Sequence, residues 1–170
     1  MQQKIIVAFG AVLSVASAAA AAGDAIKVPS TVPYADANGV AGNVKRECPI
    51  NQQLSDYIIE YAQEHHVATE SVPATDAQTP GRVLVIEITD AVSRGNPFIG
   101  HRKSTSVRGT LYQDGAKVAA FRGERDSMGG AFAGFKGSCS VLGRTVKALG
   151  SDIATWLAKP VDDAQLGDLE

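Results

Sequence analysis

Few residues in this 170-residue chain invite chemistry: two cysteines, three histidines, a glycine-rich run ending in Lys and Ser, and scattered carboxylates. Cys48 and Cys139 stand 91 positions apart, whereas redox-active pairs usually sit as Cys-x-x-Cys. Their even number suits a structural disulfide in an oxidising compartment. By closing a loop of about 90 residues, such a bridge is worth roughly 4–5 kcal/mol in the chain-entropy treatment. His65 and His66 are adjacent, so on a helix they point about 100° apart and cannot chelate as i, i+4 ligands do. They fall near a helix end, where the dipole favours His. His101 stands alone in its stretch. No cysteine cluster joins them, so the zinc pattern is missing and neither a metal nor a cofactor is expected.

The run 129–138 (GGAFAGFKGS) follows a strand and opens a helix, the setting of a phosphate loop. A P-loop needs Gly-Lys-Ser/Thr contiguous, and here Phe135 precedes Lys136 while Gly137 separates it from Ser138. A tight strand-to-helix turn, with Phe132 and Phe135 as apolar plugs, accounts for the same residues; the two rings lining a partner groove is the other reading. Backbone N–H groups at such a helix start, together with Lys136, Ser138 and Arg144, suit a simple anion. Ser138 and Ser140 lack a Gly-x-Ser-x-Gly elbow, and capping is the ordinary role of Ser at a helix start. Glu87 and Asp90 lie on or beside one strand, a spacing that says nothing about a converging carboxylate pair.

Charge is unevenly spread. Residues 82–147 hold eleven Lys and Arg against five Asp and Glu, a balance of +6, while residues 23–81 carry −5 and residues 148–170 carry −4. This basic centre, in which Arg108 projects from a strand, fits a docking face for an anionic envelope component or another envelope protein. Lys and Arg placed to block edge-to-edge strand pairing give the same pattern. The net charge of −2 makes no case for nucleic acid as a partner.

The first 22 residues read as a secretory signal: Lys4, an uncharged run from Ile5 to Val15, then small residues with a cut near Ala22. The run is too short for a membrane span, which needs about 20 residues. No lipid-bearing Cys follows it, so the expected location is the periplasm or the medium. In the remainder, residues 23–160 are expected to form one domain, with a loop-rich part over 23–50 and an exposed acidic tail over 161–170. A short strand is expected at Ile26–Val28. Asn51 caps a helix reaching Glu64 with Leu54, Ile58 and Tyr61 on one face, and Val67–Val72 forms another short strand. Arg82–Asp90 is a strand with Leu84, Ile86 and Ile88 on one face, followed by a loop over 91–102. Lys103–Tyr112 and Lys117–Arg125 flank Asp114-Gly115, a hairpin signal, with Val107, Gly109 and Leu111 facing in and Arg108 and Tyr112 facing out. Cys139, Leu142, Val146, Leu149, Ile153 and Leu157 make a helical stripe that Pro160 stops. Gly143 and Gly150 border it and are expected to let this helix approach the sheet closely. The pattern predicts a two-layer α+β fold, a mostly antiparallel sheet of about four to five strands packed by two amphipathic helices.

The run 106–157, from SVRGTLYQDG through the glycine-rich turn to SDIATWL, resembles an uncharacterised group of bacterial envelope proteins, many of them lipoproteins. The resemblance spans residues 82–158 and implies an architecture like the amino-terminal domain of TolB. It brings no active site. The reading is an exported envelope protein acting as a non-catalytic binding or assembly module, with Arg108, Lys136, Ser138 and Arg144 as candidate anion or partner contacts. The alternative is an envelope hydrolase or transferase with a site assembled from distant residues such as His101, Glu87 and Ser138.

Replacing Cys48 by Ala is expected to lower stability and leave Cys139 open to alkylation. Non-reducing mass analysis of the exported protein checks the pairing, and two free thiols there would remove the staple.

Overall fold

Apolar–polar alternation builds the centre of the sheet, because successive strand side chains point to opposite faces. In the computed structural model, residues 25–35, 39–96, 100–127 and 137–169 are described, with all their side chains except those of 93–96, 100–102 and 138. Residues 1–24 and 128–136, Lys136 among them, lie outside these. Three long strands, β3 (Arg82–Asn96), β4 (Gly100–Gln113) and β5 (Ala116–Ser127), run as an antiparallel meander. Asp114 and Gly115 turn the β4–β5 hairpin with φ of 50° and 84°, the left-handed pair that a two-residue turn requires. The Asp114 carboxylate accepts from the Gln113 amide and the Gly81 N–H, both at 2.8 Å, and these bonds hold it below the usual carboxylate range. Residues 91–102, expected as a loop, are largely ladder: Ala91 to Asn96 pair with Thr105 to Gly100. The backbone pairing outruns the apolar pattern, which fades after Ile88.

Parallel strands extend the meander at both ends. The sheet has six strands in the order β2-β1-β3-β4-β5-β6, with β1 (Ile26–Pro29), β2 (Thr69–Val72) and β6 (Ala164–Gly167). The short pairs β1–β2, β1–β3 and β5–β6 are parallel, so the sheet is mixed although most of its pairing is antiparallel, and it has one to two more strands than expected. A parallel neighbour demands a crossover, usually helical. Here α1 (Gly42–Glu47) and α2 (Ile50–Glu64) connect β1 to β2, and α3 (Ser138–Ala158) connects β5 to β6. The short α1 lies in the segment expected to be loop. Pro49, not Asn51, occupies the N-cap of α2, and Gly137 occupies that of α3, with no side-chain cap at either. Asn51 instead offers its carbonyl to the Val32 N–H at 3.1 Å.

Both long helices cover one face of the sheet. Ile26, Val28, Leu84, Ile86, Ile88, Val107, Leu111 and Phe121 meet Leu54, Ile58, Leu142, Val146, Leu149, Ile153 and Trp156 in one buried cluster. Hydroxyls tie the layers as well: Ser55 donates to the Pro29 carbonyl at 2.5 Å, and Thr105 and Thr145 meet at 2.7 Å. Cys48 and Cys139 are bonded, with Cα atoms 5.0 Å apart, joining the α1–α2 junction to the first turn of α3. Gly143 and Gly150 face α2 rather than the sheet. A Cβ on Gly150 would lie 2.5 Å from the Tyr57 Cβ and 3.0 Å from its carbonyl carbon, so the missing side chain is what lets the helices touch. Close approach to the sheet comes from the strands, at Gly109 beneath Phe121 and at Gly123 beneath Leu149.

Within the expected acidic tail lies the strand β6. Leu166 of β6 is buried, and carboxylates on either side of the strand hold it. Asp162 accepts from the Ala120 N–H at 2.8 Å and pairs with Lys117, which keeps its carboxyl below the usual range. Asp168 accepts from the Asp126 N–H at 2.6 Å and from Arg125 at 3.0 Å, while Arg125 also grips Asp152 of α3 through two bonds of 2.7 and 2.8 Å. Trp156 donates its indole N–H to the Val161 carbonyl at 2.9 Å, where the chain leaves α3 for β6.

Gly150→Ala is expected to destabilise by about 1–3 kcal/mol, overpacking against Tyr57 outweighing the gain in helix propensity. Gly143→Ala, whose Cβ meets only the Gln53 side chain at 3.3 Å, should be neutral or stabilising by up to about 1 kcal/mol. Urea denaturation of the two variants checks the contrast. A second expectation concerns acid. A carboxyl held low by folding contributes stability above its ordinary pKa, and that contribution is lost as pH falls through the folded value. The Asp162 anchor of β6 should therefore release below about pH 4. Fluorescence of Trp156 reports it: a red shift on acidification, already partly present at pH 7 in Asp162→Asn.

Candidate functional site

With both long helices on one face, neither of them covers the opposite face of the central strands. Its side chains come from the alternate positions of the same strands. Register sets Glu87 opposite Arg108, Arg108 opposite Arg122, and Arg122 opposite Gln165, a polar row across four strands. Beside it run Val85, Thr110 and Ala120. Pro33 and Thr75 close one side and Asp163 the other, giving a trough of about 630 Å³. That volume lies within the range of small-molecule sites. Thr75 is fixed at its wall by donating to the Leu84 carbonyl at 2.8 Å.

A β-bulge decides which β5 side chains reach this trough. From the Asp114-Gly115 turn, unbroken pairing would set Arg108 against Phe121. Instead Leu111 pairs with Ala119 and Tyr112 with Lys117, leaving Val118 unpaired and 49% exposed. A one-residue shift exchanges the faces of a strand. Phe121 therefore drops into the space above Gly109 and packs on Trp156, ring centroids 4.7 Å apart. Arg122 emerges on the open face beside Arg108.

The electrostatics of the row are unequal. The Glu87 carboxylate receives the Arg108 Nε–H directly. Arg122 is exposed and, among the described residues, has no ion pair or side-chain hydrogen bond. Like charges directly opposite on neighbouring strands are destabilising, and Glu87 relieves only one of this pair. Next along the open face, Ser106 donates to Glu124 at 3.0 Å, and one oxygen of Asp90 is buried without a hydrogen-bond partner.

Of the contacts expected from sequence, Arg108 and Arg144 are not brought together. Arg108 lies in the trough. Arg144 is exposed on α3, across the sheet on the helix side. Ser138 is the first residue of α3, its side chain outside the described residues, and Lys136 lies outside them entirely. Of the three residues considered for a catalytic site, Glu87 lines the trough, held by Arg108, and the side chains of His101 and Ser138 are not among those described. Sequence reasoning missed Arg122, Thr110 and Gln165. The hairpin signal pointed to β5, but the bulge that turns Arg122 outward has no residue signature in this strand. Among the described residues, no group of three or more His, Cys, Asp or Glu is placed to hold a metal ion. No described helix is long and apolar enough to cross a membrane.

No family model matches the chain, and no curated protein does. Among solved structures it is similar to a variant PelC dodecamer from Paraburkholderia phytofirmans, at 15% identity and a TM-score of 0.46, over 76% of this chain and 85% of that one. A second PelC dodecamer from the same organism matches at 13% identity and a TM-score of 0.46, over 76% of this chain and 87% of that one. A minor lipoprotein from Acinetobacter baumannii matches at 9% identity and a TM-score of 0.45, over 80% and 93%.

Proposed function

We propose that this chain is an exported, non-catalytic binding or assembly module of the cell envelope that works through the open face of its sheet. The observation that carries the reading is the trough on that face, with Arg108 and Arg122 side by side and only one of them neutralised. The Cys48–Cys139 disulfide supports an oxidising compartment, periplasmic or secreted. The TolB-like architecture implied by residues 82–158 belongs to the same reading, as does an acidic envelope protein or anionic envelope component as partner. Attraction to an exposed arginine is screened by salt, since the Debye length falls to about 3 Å at 1 M.

Affinity capture from cell envelopes tests it, with wild type, Arg122→Glu and Arg144→Glu compared at low and high salt. Partners held by the open face should be lost with Arg122→Glu and at high salt, and kept with Arg144→Glu on the helix side. Equal recovery by the wild type and Arg122→Glu, with thermal melts unchanged, would overturn the assignment to this face.

A further inference from the structure

We infer that the open-face trough is a site for a small organic ligand carrying one carboxylate or phosphate on an apolar body, with Arg122 as its primary contact. The inference rests on the binding-module reading and names the chemistry that the trough selects. Its floor offers Val85, the Thr110 methyl and Ala120 to an apolar body, while its polar row offers guanidinium groups to one end of the ligand. Arg122 stands directly opposite Arg108, so their Cβ atoms are about 5 Å apart. At that spacing two guanidinium groups can converge on a single oxyanion, each with donors in a planar fork that matches carboxylate or phosphate oxygens. Glu87 takes the Nε–H of Arg108 and leaves its terminal nitrogens for a ligand.

Two other cations of the basic centre are engaged elsewhere. Lys117 serves Asp162, and Arg125 serves Asp152 and Asp168. Arg122 is set apart from them: it faces a cavity, sits against a like charge and has no counter-ion among the described residues. An anionic ligand relieves that repulsion. A neutral one of equal size does not, so the site discriminates by charge first and by shape second. Glu87 acts as a competitor as well as a positioner, because its carboxylate repels the ligand's own.

Amide chemical-shift titration of the full exported chain tests this with three probes: phenyl phosphate, benzoate and the neutral benzyl alcohol. One or both anions should shift the amides of Val85, Thr110, Ala120 and Arg122, and the alcohol should not. The arm that binds tighter identifies the headgroup as phosphate or carboxylate. Arg122→Met should weaken the anion by about tenfold or more, as expected for loss of a charge-assisted hydrogen bond. Arg122→Lys should recover part of the loss, and Glu87→Gln should tighten binding several-fold. No shift at millimolar anion, equal shifts with benzyl alcohol, or an affinity unchanged in Arg122→Met would each overturn the proposal. If the anions fail while Arg122→Glu still loses captured partners, the binding-module reading stands and the small-ligand site falls. Binding of the anions with capture unaffected by Arg122→Glu gives the reverse.

Discussion

The contact between Phe121 and Trp156 above Gly109 is the constraint on which both faces of this sheet depend. Phe121 needs the volume that a side chain on Gly109 would occupy; a Cβ there would come within 2.5 Å of the ring. To reach that space, β5 must slip by one residue against β4, and Val118 is expelled as the bulge. The expelled Val is left half exposed, a local cost offset by burying an aromatic ring against the indole. The same slip turns Arg122 outward. The packing of the hidden face thus composes the open one, and the candidate site follows from a core contact made on the other side of the same strands.

A second constraint comes from chain connectivity. Two parallel pairs of neighbours in sequence, β1–β2 and β5–β6, each require a helical crossover, and α2 and α3 fill that role on the same face. Placed side by side, they must pack on one another. Gly150 makes this contact close by admitting the Tyr57 backbone. The disulfide then joins the start of α3 to the junction before α2, fastening the two crossover units together. The result is one face with a double-helix cover and one face without, in which rows of strand side chains are presented outward.

Charge patterning has a different meaning in three dimensions than along the chain. The basic centre and the acidic C-terminal flank are partners: Asp162 and Asp168 bracket β6 and bind Lys117 and Arg125 of β5, while Asp152 of α3 completes the Arg125 cluster. Two cations of the basic centre are therefore occupied in holding the last strand rather than in facing solvent. Lys103 is buried outright, and burial pushes its amine below the usual lysine range. Arg122, on the open face, is one of the described cations that this internal neutralisation passes over.

Local pattern alone determined the strand at Arg82, the Asp114-Gly115 hairpin, the buried stripes of α2 and α3 and the pairing of the two cysteines. Each rests on short-range rules: side-chain periodicity, the left-handed φ a two-residue turn needs, and an even cysteine count. The tail strand β6 escaped those rules, because one buried Leu among acidic residues makes no period and its order comes from distant cations. Gly150 was legible as a close-contact position but not as a contact to α2, since periodicity does not say which neighbour a face will meet. Arg108 was legible as outward-facing, whereas its companion Arg122 was not. Only the tertiary structure decided that pairing, because the register of β5 answers to the volume above Gly109 and to Trp156, thirty-five residues after Phe121.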